Sequence, residues 1–187
     1  MAENYVTLVE LKQMRDIKDT ADDALLSRAL SVASRRIDGK TRRRFWLDAE
    51  ATPRLVNAVG RVTPDGRLLV DDIGSLDDLA VDGGSVGAWS PISGWETGPD
   101  NALDQGWSVT ELVGSWPARV RITARWGWPA VPEDITMACL LLASRLFSRK
   151  ESPEGVLGSV EWGSVRVSRW DPDVEALVAP YVQPKMP

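Results

Sequence analysis

The stretch from Ala118 to Lys150, ARVRITARWGWPAVPEDITMACLLLASRLFSRK, constrains this chain most, because a strand period and a helix period meet there across helix-breaking residues. Val120, Ile122 and Ala124 alternate with Arg119, Arg121, Thr123 and Arg125, a period of two that gives a strand one apolar and one polar face. Gly127 and Pro129 end that pattern. Pro132 suits a first helical position, where its missing N–H is no loss, and Glu133 and Asp134 follow where the helix dipole favours carboxylates. Ile135, Ala138, Cys139, Leu142, Ala143 and Leu146 then recur at helical spacing, and Leu140, Leu141 and Phe147 widen the apolar surface. Such a helix needs partners on more than one side. Arg145, Arg149 and Lys150 place cations in its last turns, and Ser152-Pro153 closes it.

Two earlier segments supply those partners. Thr7-Leu8-Val9-Glu10 has the form of a capping box, so a short helix is predicted to about Arg15 with Leu8, Leu11 and Met14 on one face. Thr20 is predicted to cap a longer helix, with Asp22 and Asp23 in its first turn and Gly39 just past its end. Leu25, Ala29, Val32, Ala33 and Ile37 form its stripe. A short helix is expected from Asp171-Pro172 through about Ala179. The predicted fold class is α+β: a small, mainly helical bundle of three longer helices and a short C-terminal one, with a β-rich insertion and a β-hairpin or extended arm. Residues 1–187 read as a single domain, with the insertion over 52–117, the arm over 153–170 and an extended tail over 180–187.

Within the insertion, short apolar segments alternate with Gly, Pro and Asp turns. Candidate strands are 54–59, 68–70 and 80–81, with Thr63-Pro64-Asp65-Gly66 a turn. Asp71, Asp72, Asp77, Asp78 and Asp82 form an acidic cluster. Carboxylates suit magnesium or calcium, but the DxDxDG spacing of a calcium loop is missing, so solvated loop carboxylates are the default and no metal is assigned.

The chain has no histidine, which removes Ser-His-Asp and Cys-His catalysis, HExxH zinc sites and histidine acid–base chemistry. GxxxxGK[ST], GxGxxG and GxSxG are also missing, so no catalytic residue and no cofactor is assigned. The one cysteine, Cys139, lies on an apolar helix face and reads as a small core hydrophobe. The longest apolar run, Met137 to Ala143, is far short of a membrane span, and the first residues carry no export signal, so no membrane partner is expected. A formal charge of −5 argues against generic attraction to nucleic-acid phosphates and favours protein partners.

Arg35, Arg36, Lys40, Arg42, Arg43 and Arg44 make the densest basic region, followed by Phe45 and Trp46. One reading is a solvated helix cap; the other is contact with DNA or with acidic residues of a neighbouring subunit, for which Arg42, Arg43 and Arg44 are the candidates. Nine tryptophans are many for this length, and an indole serves both β cores and interfaces. Two of them, Trp162 and Trp170, belong to the Gly-punctuated arm and are candidate docking residues.

These features in order resemble the head–tail connector, or adaptor, proteins of long-tailed double-stranded DNA phages. The match is carried by YVTLVELKQM (5–14), DTADDALLSRALSVASRRIDGKTRRRF (19–45), WGWPAVPEDITMACLLLASRLFSRKESPEGV (126–156) and LVAPY (177–181), and does not extend into 52–114. The resemblance implies a ring, usually dodecameric, beneath the portal, extending the DNA channel and offering a surface to tail-side proteins. It implies self-association, the portal, a tail-side neck protein and passing double-stranded DNA as partners. It implies location in the virion neck after assembly in the bacterial host cytoplasm, and no catalytic residues. A tail-completion or minor capsid component is an alternative, and a metal-assisted hydrolase using the cluster from Asp71 to Asp82 is a third.

Overall fold

The computed structural model describes residues 4–85, 87–148, 156–157, 165–166 and 171–183. The chain divides into two compact units: Met1–Arg42 with Pro132–Gln183, and Arg43–Val131.

The first unit is helical, with α1 at Leu8–Met14, α2 at Asp23–Thr41, α3 at Glu133–Ser148 and α4 at Pro172–Val178, the last followed by a 3-10 turn at Ala179–Tyr181. The α1 capping box is present: Thr7 Oγ1 accepts from the Glu10 N–H and the Glu10 carboxylate accepts from the Thr7 N–H. The second helix opens three residues after Thr20 and runs past Gly39, because Ile37 and Thr41 are both buried and the Thr41 hydroxyl bonds back to the Ile37 carbonyl at 2.8 Å. Its left-handed terminal residue is therefore Arg42, at φ 57°. Leu11, Leu26, Leu30, Ile37, Ile135, Ala138, Cys139, Ala143, Val174 and Val178 are among the buried apolar residues that the four helices contribute to the core of this unit. Arg15 ties α1 to α3, donating to the Ser144 and Ser148 hydroxyls at 2.8 Å each with its guanidinium 5.1 Å from the Phe147 ring centroid.

The second unit is a six-stranded antiparallel sheet. Its strands are β1 (Thr52–Asn57), β2 (Arg67–Ser85), β3 (Ala88–Pro91), β4 (Glu96–Gly98), β5 (Val109–Val113) and β6 (Arg119–Trp126), in the order β1-β6-β2-β5-β4 with β3 on the far end of β2. Two short strands later in the chain, β7 (Val156–Leu157) and β8 (Val165–Arg166), pair antiparallel with each other. β6 alternates buried and part-exposed residues from Val120 to Trp126, as its sequence period requires. Val56, Leu68, Val70, Ile73, Val81, Leu112, Val120 and Ile122 fill the core of the sheet unit.

This architecture corrects the expected fold class, since the antiparallel sheet dominates and the chain is not a mainly helical bundle. The cause lies in β2. Two separate candidates, 68–70 and 80–81, are parts of one 19-residue strand whose register shifts between Leu69 and Ile73 and again between Ser75 and Ala80. Bulges admit the aspartates and glycine that interrupt its alternation, and Asp78 sits in one of them at φ 60°. The strand–turn–helix stretch after Ala118 is divided too: β6 belongs to the sheet and α3 to the helical unit.

Candidate functional site

The densest cluster of charged and aromatic side chains in the sheet unit forms where residues 43–48 run beside the end of β6. The Asp48 N–H donates to the Trp126 carbonyl at 2.8 Å, and Arg44 donates to the same oxygen at 3.1 Å while pairing with Asp48 at 2.7 Å. The path needs Gly127, whose φ is 111° and whose α-carbon has no room for a side chain: an added Cβ would lie 1.9 Å from the Trp46 carbonyl oxygen. That docking drives Phe45 fully into the core, 5.1 Å from the Trp128 ring, and Trp128 lies 5.3 Å from Trp107 on its other contact.

Arg43 reaches the buried Asp72 of β2, forming an ion pair in which both side chains are largely withdrawn from solvent. Ser108 donates its hydroxyl to the same carboxylate at 2.5 Å, and the Arg43 guanidinium stands 5.6 Å from the Trp128 ring centroid. Burial pushes the Asp72 carboxyl above its ordinary range; the Arg43 charge, the Ser108 hydrogen bond and the nearby Trp128 indole pull against that shift. Beside the pair lies a cleft of ≈ 280 Å³ lined by Arg43, Pro99, Asp100, Gln105, Trp107 and Ser108. Trp107 is 41% exposed, the one exposed tryptophan among the described residues.

The three candidate arginines have separate environments. Arg42 is exposed at the end of α2. Arg43 is held by Asp72, and Arg44 by Asp48 and the Trp126 carbonyl, with its guanidinium 5.2 Å from the Trp46 ring. Trp162 and Trp170 lie outside the described residues.

Four of the five aspartates of the acidic cluster pair with arginines, Asp72 with Arg43 and three more across the sheet. Asp71 pairs with Arg54 at 2.7 Å, Asp82 with Arg121 at 2.8 Å, and Asp77 reaches Arg125 at 3.8 Å. Asp82 and Arg121 are direct cross-strand partners, the position where opposite charges support a sheet. Among the described residues no three His, Cys, Asp or Glu side chains gather as a metal site. The tryptophans are engaged in the same way: Arg54 stands 4.2 Å from the Trp126 ring and Arg121 5.2 Å from Trp89, and the Trp116 and Trp126 indoles donate to backbone carbonyls.

No protein-family model matches the sequence, and no curated protein matches it. The fold does have counterparts. A chain in the neck of an empty gene transfer agent particle, computed with C6 symmetry, superposes with a TM-score of 0.59 over 97% of this chain and 91% of that one, at 19% identity. The chain shares the fold of a particle-neck protein. A chain of the virion of the native gene transfer agent particle gives a TM-score of 0.56 with the same two coverages and 22% identity. The neck resemblance carried by the four sequence segments and this likeness in fold agree.

Sequence reasoning missed two features of these surfaces. The Arg–Asp pairs of the sheet join residues far apart in sequence, 39 positions for Asp82 and Arg121, although the arginines of one face of β6 were a visible signal. Arg28 was also overlooked, and it extends the basic surface of α2 well away from the helix end.

Proposed function

We propose that this chain is a non-enzymatic structural subunit of the neck of a phage-type particle. It forms a ring beneath the portal, extends the DNA channel and docks a tail-side protein. The observation that carries the proposal is the likeness in fold to a gene transfer agent neck chain over nearly the whole length. The character of the ionisable groups supports it: Asp72, the buried carboxylate of the sheet unit, is fastened to Arg43 and Ser108 and holds the 43–48 segment in place. Of Arg42, Arg43 and Arg44, Arg42 is the exposed one, so the intersubunit or DNA-facing role falls to it. The arm with Trp162 and Trp170 docks on the portal or on a neighbouring subunit.

The test is the solution mass of the protein, alone and mixed with the portal protein of the same virus. A closed ring alone, or a monomer that becomes one on the portal, supports the proposal. A monomer indifferent to the portal refutes it.

A further inference from the structure

The exposed positions of α2 carry three cations, Arg28, Arg35 and Arg36, and no carboxylate. Between them stand small or apolar residues, Ser27, Ser31 and Val32 among them, the last 39% exposed. Arg28 and Arg35 are seven residues apart, two turns of helix, and so lie on one line with about 10 Å between them. The exposed Arg42 follows at the helix end. Cations near a helix C-terminus are favoured by the dipole, which accounts for Arg35 and Arg36 but not for Arg28 in the first half. Arg35 meets Asp38 at 3.2 Å; among the described residues Arg28, Arg36 and Arg42 have no ion pair.

The β4 edge of the sheet unit presents the opposite sign. Glu96 lies on β4, the last strand in the sheet order, and Asp100 and Asp104 follow it in the chain. All three are exposed and have no ion pair among the described residues. Asp100 lines the cleft that Trp107 walls, so carboxylates and an exposed indole share one surface.

We propose that the basic face of α2 docks on the β4–Trp107 surface of a second copy, with Arg28 and Arg36 meeting Asp100 and Asp104, and Val32 against Trp107. The contact joins two different surfaces, so repetition closes a ring or continues as a filament. The small residues of the helix face allow close approach, and opposite charges fix the register. This inference rests on the neck-ring reading and names the faces that the ring brings together.

The experiment uses the full chain and sedimentation at low salt. R28E/R36E and, separately, D100K/D104K are each expected to raise the assembly dissociation constant at least ~10-fold, with circular dichroism unchanged. Combining all four substitutions reverses the sign on both faces and is expected to restore assembly. If either charge reversal fails to fold, a salt titration of the wild-type assembly takes its place, and the proposal expects dissociation as salt rises. Wild-type assembly unaffected by either pair, or no recovery in the combined variant, overturns the assignment of faces and leaves the neck reading standing. Intact assembly with lost DNA retention in R28E/R36E overturns it in favour of a DNA-facing helix. A wild-type chain that never assembles, alone or on the portal, overturns both.

Discussion

Replacing Arg43 by methionine keeps much of the side-chain volume over Trp128 and removes the charge that faces Asp72. The buried carboxylate then has two ways to persist: remain ionised, held by the Ser108 hydroxyl beside the Trp128 indole, or take up a proton. Protonation caps the penalty. With an unfolded pKa of about 3.9, holding a carboxyl protonated costs no more than about 1.36 kcal/mol per pH unit above that value, so about 4 kcal/mol at pH 7 and about 1.5 kcal/mol at pH 5. Loss of the cation–π contact adds about 0.5–1 kcal/mol at both.

The sign follows from the direction of the shift. Burial raises the folded pKa of Asp72 above its unfolded value, so the folded state binds the proton first. The stability this contributes is present at low pH and is lost as pH rises through the folded pKa. The deficit of R43M relative to wild type is therefore expected to shrink on going from pH 7 to pH 5. Urea denaturation of wild type, R43M and R43M/D72N at both values measures it. The double variant, which leaves no buried charge, is expected to recover most of the loss at pH 7 and to show little pH dependence. A deficit under about 1 kcal/mol at pH 7, or one of equal size at pH 5, would refute the claim that Arg43 compensates a desolvated carboxylate.

Gly127→Ala places a Cβ against the Trp46 carbonyl at a φ of 111°, and is expected to destabilise the chain by at least about 3 kcal/mol in chemical denaturation. Thr7→Ala removes the side-chain half of the α1 capping box and is expected to lower stability by about 1 kcal/mol, read from the same denaturation curves. The Cys139 thiol is pushed up to about 11 by burial, so a disulfide reagent at pH 8 is expected to leave the native chain unlabelled and to label it in full once urea unfolds it. Rapid labelling of the native chain would show that the α3 core opens locally.

The helices were legible because their information is local. The capping box at Thr7, the Asp171-Pro172 start of α4 and the apolar spacing of α3 each act within a few residues, and each has its counterpart in the structure. The sheet was not, because β2 breaks its own alternation with Asp71, Asp72, Gly74, Asp77 and Asp78. Those residues look like loop until Arg54 of β1, Arg125 of β6 and Arg43 meet Asp71, Asp77 and Asp72, and nothing within the segment announces those partners. The same distance hides the cluster at Asp72. Its members come from residues 43–45, 72, 107–108 and 128, and they meet only when the register of the sheet is set. Composition showed a surplus of tryptophan; only packing separates Trp128, buried beneath Arg43, from Trp107 at the surface.

Pairing inside the sheet unit also decides which charges are left for partners. Arg43, Arg44, Arg54, Arg67, Arg121 and Arg125 each meet a carboxylate within that unit. The positive charges most conspicuous in the sequence, Arg43 and Arg44, are thereby withdrawn, and so is most of the acidic cluster from Asp71 to Asp82. Among the unpaired remainder, exposed carboxylates gather at Glu96, Asp100 and Asp104 on the sheet unit and exposed guanidinium groups at Arg28, Arg36 and Arg42 on the helical unit, although each unit also exposes the other sign, as at Arg119 and at Asp19, Glu133 and Asp173. A net charge of −5 shows neither patch, because it sums over the whole chain. Exposed charges of one sign repel their own kind and attract the other, so two copies are disfavoured when like surfaces meet and favoured when unlike ones do. That asymmetry is what head-to-tail assembly requires and what a two-fold dimer does not.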